Sequence, residues 1–170
     1  ESASYCLERV AQSDTQNGLD FTALAFAPDG TLYAARPLNG AVYRLRDSDA
    51  DGLPDSPTLL IDGLDRPNAL LYHEDTLYIG TRDAVYQWRE STLTPLIESL
   101  PTSTLWNGGL TLAADGRLLI GISAGCDACA ATMQRGGVLA CSTENAACES
   151  FAYGLRQPLG LAWDATRGGL

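Results

Sequence analysis

The chain is poor in basic residues and histidine, and it has no long apolar segment. Its 170 residues include 11 Lys and Arg against 21 Asp and Glu, a formal net charge of −10, and one histidine. This acidic balance argues against binding to nucleic-acid phosphates and to anionic membranes. No apolar run reaches the roughly 18 residues of a membrane-spanning helix. We therefore expect neither a nucleic-acid partner nor a membrane span.

Helical periodicity and a leader segment are also missing. No segment places apolar residues at helical spacing, and the chain begins with Glu1 and carries no signal peptide. It contains five Cys but one Met residue, a composition that indicates an oxidising compartment. The expectation is a secreted or periplasmic protein in its mature form, or a chain whose leader has been removed.

The chain does contain a repeated sequence motif, Gly-Leu-x-x-Pro, in two full and two partial copies. The copies begin at Gly18, Gly63, Gly109 and Gly154. A period of about 40–50 residues built from short strands is typical of a β-propeller blade. The predicted fold class is all-β, a β-propeller of about three blades plus the first strand of a fourth. One incomplete domain spans 1–170, with approximate blades 18–62, 63–101, 102–153 and 154–170, the last truncated.

A propeller closes its ring with four to eight blades, so the chain is either a fragment of a larger propeller or an open ring. The fragment is favoured, because residues 168–170 stop where the earlier repeats enter their second strand. Each repeat predicts at least three strands, and Asp29-Gly30 between two alternating apolar runs is a strong hairpin signal. Residues 94–98 are a candidate outer strand, because Pro95 suits a sheet edge.

The segments that contain or replace Gly-Leu-x-x-Pro precede the innermost strand of each blade, and we call them the leading loops. In propellers such loops crowd one mouth of the central channel, where ligands bind. Four residues of these loops therefore share a predicted location although they are far apart in sequence. They are Arg66, Trp106, Asn107 and Arg156.

Residues 47–55 form an acidic loop with carboxylates at positions one, three, five and nine. These are Asp47, Asp49, Asp51 and Asp55. The sixth position is Gly52, which permits the sharp turn that lets alternate oxygens converge on one hard cation. The backbone carbonyl of Leu53 could add a ligand, whereas position twelve holds Thr58 where a bidentate acid is expected. The prediction is a calcium site with these four aspartates as ligands, and the alternative is a solvated acidic turn.

Four of the five cysteines fall into two closely spaced pairs. Cys126 and Cys129 have metal or redox spacing, but the second half of a zinc site is absent and no βαβ context supports a thioredoxin-like site. Cys141 and Cys148 flank a polar turn and suit a staple across a hairpin. We predict a disulfide in each pair, which leaves Cys6 unpaired or matched to a residue beyond Leu170.

Three segments, residues 107–123, 126–129 and 154–163, resemble the glucose/sorbosone dehydrogenase family, and residues 45–64 resemble an Asp-rich segment of some members. The resemblance covers most of the chain from about Gly18 onward. It implies an exported six-bladed propeller that uses pyrroloquinoline quinone (PQQ) with calcium to oxidise sugars.

The resemblance also implies roles for individual residues. The family's quinone-facing Arg-Asn pair corresponds to Arg156 and Gln157, so both are implied cofactor-binding residues, with Arg156 pairing with a quinone carboxylate. In the family a histidine before a Trp removes the sugar hydroxyl proton while hydride passes to the quinone. Leu105 precedes Trp106 here and cannot accept a proton. The only histidine, His73, is predicted to be an exposed turn residue, so no catalytic residue is predicted.

Three functions follow from these observations. The first is a PQQ-dependent sugar dehydrogenase that oxidises a sugar hydroxyl. The second is a non-catalytic secreted propeller that binds carbohydrate or protein at the channel mouth through Trp106 and Arg156. The third, a calcium-dependent hydrolase or lactonase, needs acidic ligands at the channel centre, and the sequence shows no clear set of them.

Overall fold

The computed structural model describes residues 21–130, 132 and 134–170. Cys6 and the first Gly-Leu motif at Gly18 therefore lie outside the described residues. The described residues form three four-stranded antiparallel sheets and contain no α-helix. Their helical structure is limited to a 3-10 turn at Pro37–Asn39, and no membrane-spanning helix is found among the described residues. The prediction of an all-β fold is confirmed.

In each sheet the strands pair in chain order, each antiparallel to the one before it. Sheet 1 contains β1 (Ala23–Phe26), β2 (Leu32–Arg36), β3 (Ala41–Leu45) and β4 (Thr58–Ile61). Sheet 2 contains β5 (Ala69–His73), β6 (Thr76–Gly80), β7 (Val85–Arg89) and β8 (Thr92–Ile97). Sheet 3 contains β9 (Gly108–Leu112), β10 (Leu118–Ile122), β11 (Gly137–Cys141) and β12 (Cys148–Tyr153).

The fourth strands show what apolar alternation detects and what it misses. The predicted outer strand with Pro95 is β8, which lies at the edge of sheet 2 and pairs only with β7. The sequence analysis did not identify β4 and β12 as strands. Both are edge strands with mostly exposed or half-exposed residues. The short apolar run of β4 does not alternate with polar residues as a half-buried strand does, and β12 contains the polar Glu149 and Ser150.

The sheets stack face to face through alternate residues of their strands. On β5, Leu70 packs with Val42 of sheet 1 in one core, whereas Ala69 packs with Leu110 of sheet 3 in another. Tyr33 stacks on a tyrosine of sheet 2 across the first of these interfaces, with ring centroids 5.6 Å apart, and burial raises the pKa of Tyr33. The strand that starts each sheet therefore lies beside the starting strand of the next.

The predicted first strand of a fourth repeat does not form as a hydrogen-bonded strand. Leu161 and Trp163 do pack on sheet 3, against Leu119 and Val138. No strand of the described residues lies alongside this segment to complete a backbone ladder, and its one bridge joins residues 164 and 169. The segment thus occupies a packing position on sheet 3 without the hydrogen bonds that define a strand.

Because neighbouring strands are antiparallel, the connections between them alternate between two opposite ends of the sheets. The leading loops (62–68, 98–107 and 154–158) lie at the same end as the connections 37–40, 81–84 and 123–136, because each pair of antiparallel neighbours brings these segments together. The remaining connections, among them the turn at Asp29-Gly30 and the acidic loop, lie at the opposite end. We call these the leading-loop end and the hairpin end.

Candidate ligand site at the leading-loop end

Asn107 ties together the loops of the leading-loop end. Its side chain is 3% exposed, and its Nδ2 donates to the carbonyl oxygens of Arg82 (3.0 Å) and Pro101 (2.8 Å). Its Oδ1 accepts a hydrogen bond from the backbone N–H of Ser123 at 3.0 Å. The Asn68 amide donates to the Asn107 carbonyl. One buried amide therefore links sheets 2 and 3 at this end, which is a structural role rather than ligand contact.

Arg66 and Trp106, predicted to share this location, do come together. The Arg66 guanidinium carbon lies 5.9 Å from the centre of the Trp106 ring, within cation–π range. Arg66 has a positive φ of 55°, in the left-handed region of the backbone. The Trp106 carbonyl accepts a hydrogen bond from the Ser123 hydroxyl. A cation and an aromatic ring from two different leading loops thus form one surface.

Asp65 and Arg82 add a charged pair beside that surface. The Arg82 Nε lies 2.7 Å from the Asp65 carboxylate, and its backbone N–H donates to the Asp65 carbonyl at 3.0 Å. Residues 37–40 and 63–66 border a shallow depression of about 410 Å³ next to this pair. Asp65 and Arg66 line this depression and give it one negative and one positive group, which suits a polar small molecule.

Arg156 and Gln157, the implied cofactor-binding residues, are exposed in the last leading loop. The Arg156 guanidinium forms an ion pair with Asp127, and its backbone carbonyl accepts the Ala124 N–H at 2.8 Å. Both partners lie in the connection between β10 and β11. The structure thus places a cation and an amide at the predicted end, with the cation already facing a carboxylate.

Leu105 stands where the family resemblance puts a general base. Its side chain is half-buried, and its backbone is held by Ser103, whose hydroxyl accepts from the Leu105 N–H (3.1 Å) and donates to the Leu105 carbonyl (2.9 Å). His73 is the last residue of β5 rather than part of the turn, and it lies at the hairpin end, 3.7 Å from the Glu74 carboxylate. The chain's only imidazole is therefore at the opposite end from Leu105.

Three of the four aspartates predicted to bind calcium converge. One carboxylate oxygen from each of Asp47, Asp49 and Asp51 lies within 4.8 Å of the others. Backbone N–H groups of the loop orient them, since Gly52 donates to Asp47 at 2.9 Å and Leu53 donates to Asp51 at 2.8 Å. This arrangement suits a hard cation with oxygen ligands.

The fourth predicted ligand, Asp55, is engaged elsewhere. Its carboxylate accepts hydrogen bonds from both the backbone N–H (3.2 Å) and the hydroxyl of Ser48. Asp47, Asp49 and Asp51 therefore lie together, whereas Asp55 bonds to Ser48 at the base of the loop.

The predicted calcium ligands and the implied cofactor-binding residues lie at opposite ends of the sheets. The acidic loop joins β3 to β4 at the hairpin end, whereas Arg156 follows β12 at the leading-loop end. An ion held by the acidic loop is thus remote from any ligand of Arg156. The resemblance had grouped calcium with the quinone, and this geometry separates the two.

Hydrogen bonds lower the pKa of several carboxyls at the hairpin end. The backbone N–H of Thr31 lowers the pKa of Asp29, that of Arg117 lowers the pKa of Asp115, and the hydroxyl and N–H of Thr166 lower the pKa of Asp164. Each aspartate begins a tight turn and accepts from a residue two positions later. These carboxylates stabilise turns and are already paired.

Both predicted disulfides are present, Cys126–Cys129 and Cys141–Cys148. The partners of the predicted residues, namely Arg82, Ser123 and Asp127, were not predicted from the sequence. Asp127 had one signal, its position between two cysteines predicted to pair. Arg82 and Ser123 carry no such signal, since their role depends on which loops meet in space.

No protein-family model and no curated protein matches the sequence. Solved structures do. A protein of Thermus thermophilus assigned as an oxidoreductase (glucose dehydrogenase) matches with a TM-score of 0.61 and 20% identity, over 89% of this chain and 57% of that one. Virginiamycin B lyase of Staphylococcus aureus matches with a TM-score of 0.58 and 15% identity, over 83% and 44%.

A third match is a protein of Bacteroides uniformis assigned as a 6-phosphogluconolactonase, with a TM-score of 0.56 and 15% identity, over 86% of this chain and 45% of that one. At such identities the likeness concerns the fold, which is propeller-like. The chain spans about half the length of these solved structures.

Proposed function

We propose that this chain belongs to a sugar dehydrogenase of the PQQ-dependent type, in which a sugar hydroxyl is oxidised by hydride transfer to the quinone. The observation that carries the proposal is the meeting of Arg66 and Trp106 from separate leading loops, at the end where Arg156 is also exposed. The glucose dehydrogenase assigned in Thermus thermophilus lends support, because it shares the fold over most of this chain. Six blades in the complete ring are part of the proposal.

The chemistry of the exposed residues fits a carboxylated quinone in part. The Arg156 guanidinium can pair with a carboxylate through two parallel hydrogen bonds, and the adjacent Gln157 amide can donate to a quinone oxygen. When bound, PQQ would supply the hydride acceptor. Arg156 would then exchange the Asp127 carboxylate for that of the quinone.

The residues described at this end do not include a base placed like the family's histidine to remove the sugar hydroxyl proton. Leu105 offers no acceptor, and His73 lies at the hairpin end. This observation favours a second candidate function, a non-catalytic propeller that binds carbohydrate or protein at the same mouth. The ring of Trp106 and the cations Arg66 and Arg156 would then form the binding surface.

We further propose that Asp47, Asp49 and Asp51 bind calcium as a structural ion at the hairpin end. Their convergent oxygens support this role, and Asp55 shapes the loop through Ser48. The two disulfides support an oxidising compartment, so a secreted or periplasmic location is part of the proposal.

Quinone binding is tested first, by equilibrium dialysis of PQQ with the 170-residue chain. We expect Arg156→Ala to weaken binding by about tenfold, the effect of losing a charge-assisted hydrogen bond. The matched control is Arg167→Ala, which removes an exposed arginine paired with Asp164 in the last turn of the chain. Equal affinity in wild type and Arg156→Ala would show that the quinone assignment is wrong.

Catalysis is tested second, by dye reduction with aldoses in the presence of PQQ and calcium. Quinone binding without dye reduction supports the non-catalytic function over the dehydrogenase. Leu105→His places an imidazole at the position of the missing base, and a gain of dye reduction in this variant would support the dehydrogenase ancestry. Leu93→His, a half-buried leucine on β8 at the outer edge of sheet 2, is the control for the substitution itself.

A further inference from the structure

The connection between β10 and β11 is longer than its counterparts. It contains the fourteen residues 123–136, whereas the connections at 37–40 and 81–84 contain four residues each. All three connections lie at the leading-loop end. The extra length of the third one carries the Cys126–Cys129 disulfide, with both cysteines exposed to solvent. An exposed disulfide therefore lies at the leading-loop end, next to Arg156.

The two disulfides of the chain differ in their surroundings. Cys148 is exposed, but Cys141 is fully buried and faces it across the paired strands β11 and β12, so the sheet would hold the two sulfurs together even after reduction. Cys126 and Cys129 lie in an irregular loop and close a ring with only two residues between them. Disulfide stabilisation falls as the closed ring becomes shorter, and exposed disulfides exchange with thiols more readily.

The small ring carries one of the contacts that hold Arg156. Asp127 lies inside the ring and pairs with the Arg156 guanidinium, and Ala124, two residues before the ring, donates its N–H to the Arg156 carbonyl at 2.8 Å. The disulfide joins the backbone on either side of Asp127, so opening the ring removes a constraint on the position of this side chain.

We propose that Cys126–Cys129 is a dithiol–disulfide exchange site whose reduction releases Arg156 from Asp127 for anionic ligands. A thiolate of an external dithiol attacks one of the two sulfurs and breaks the Cys126–Cys129 bond, giving a mixed disulfide and one protein thiolate. The second thiol of the reagent then displaces the protein sulfur. Two electrons pass to the protein, which gains two thiols after protonation, and the reagent becomes a disulfide.

The site itself is tested without any ligand. The 170-residue chain is equilibrated with graded dithiothreitol, its thiols are alkylated, and the modified cysteines are identified by peptide mass mapping, which also separates Cys6. We expect Cys126 and Cys129 to be labelled at dithiol concentrations that leave Cys141 and Cys148 oxidised. Simultaneous or earlier reduction of Cys141–Cys148 would overturn the proposal.

Loosening of the loop is measured in the same samples by hydrogen exchange. Reduction should speed exchange of the Ala124 amide, whose acceptor is the Arg156 carbonyl, and should leave the amides of β6 unchanged. Cys126→Ser/Cys129→Ser should exchange like the reduced wild type. An Ala124 amide that exchanges equally in both redox states would contradict the link between the ring and Arg156.

The effect on ligand binding rests on the proposed function and is measured with PQQ. Because thiols reduce and add to the quinone, the open ring is represented here by Cys126→Ser/Cys129→Ser with no dithiol present. This variant should bind PQQ about two- to fivefold more tightly than the oxidised wild type, the range expected for releasing an exposed ion pair. Asp127→Asn should show the same gain, and Asp62→Asn is the charge-matched control. If PQQ binds to no form, the quinone assignment fails, while alkylation and hydrogen exchange still decide the exchange site. PQQ affinity that is equal in the oxidised wild type, the double serine variant and Asp127→Asn would overturn the release of Arg156.

Discussion

The two ends of the sheets are built in different ways. At the leading-loop end, contacts join segments that are distant in sequence, such as Asn107 with Arg82 and Ser123. At the hairpin end, side chains bond mostly to their own turns, as Asp115 does with the N–H of Arg117 at 3.1 Å. A site assembled from several repeats can therefore form at the first end, whereas the second end holds local motifs such as the acidic loop.

The strongest test of this contrast is Gly121→Ala at the leading-loop end. A methyl group at this position would overlap the carbonyl oxygens of Gly108 and Pro158, which are backbone atoms that cannot move aside. We expect a loss of about 3 kcal/mol in the free energy of unfolding, the upper end of the usual range for overpacking, measured by urea denaturation. Gly160→Ala is the control, because no atom lies within 4 Å of its added methyl. Similar losses in both variants would contradict the close approach of the last leading loop.

The next largest effect is expected for Asn107→Ala. Removing the Asn107 side-chain amide leaves the N–H of Ser123 and the carbonyls of Arg82 and Pro101 without this partner. We expect a cost of about 2–3 kcal/mol in unfolding free energy. Asn145→Ala is the control at the hairpin end, since the exposed Asn145 bonds only within its own turn, to the N–H of Ala147 at 3.0 Å. A loss as small as that of the control would mean that the loops are held by other contacts.

Calcium should act at the hairpin end alone. If the acidic loop binds the ion, calcium at ten times the Kd raises the free energy of unfolding by about 1.4 kcal/mol. Asp49→Asn should abolish this gain, and Arg156→Ala should leave it intact because Arg156 is at the other end. The measurement is thermal unfolding with calcium and with chelator. A calcium effect that depends on Arg156 would break the separation of the two ends.

The smallest effect concerns the turn aspartates and pH. The N–H of Arg117 lowers the pKa of Asp115 in the folded state, so this carboxylate stabilises the fold above about pH 4 and loses that contribution as the pH falls further. The difference in unfolding free energy between wild type and Asp115→Ala should therefore shrink towards pH 2 in urea titrations. Asp115→Asn keeps an acceptor oxygen and should show less pH dependence. A constant difference across pH would contradict a role for the charge.

Features with a local signal were predicted correctly from the sequence. The turn at Asp29-Gly30, the edge strand with Pro95 and both disulfides are confirmed. Each depends on residues within a few positions of one another, so neighbouring chemistry is enough to predict it. The repeat also predicted that Arg66 and Trp106 share a location, because equal positions in successive repeats fall at the same end, and the structure brings the two side chains together.

Features that depend on neighbours in space were not predicted from the sequence. Strands β4 and β12 lie at sheet edges with few buried residues, and residues 155–163 pack on sheet 3 without forming a strand. The role of Asp55 as a metal ligand stays a prediction, and in the structure its carboxylate bonds to Ser48. Contacts between separate segments decide these features, and a spacing rule does not include them.

By itself the sequence determined the all-β class, the repeat, the turns and the cysteine pairs, because short-range backbone and side-chain preferences fix them. Only the tertiary structure decided that the acidic loop and Arg156 lie at opposite ends and that Asp127 faces Arg156. Strand direction and sheet stacking set these distances, and both arise from pairing between segments far apart along the chain.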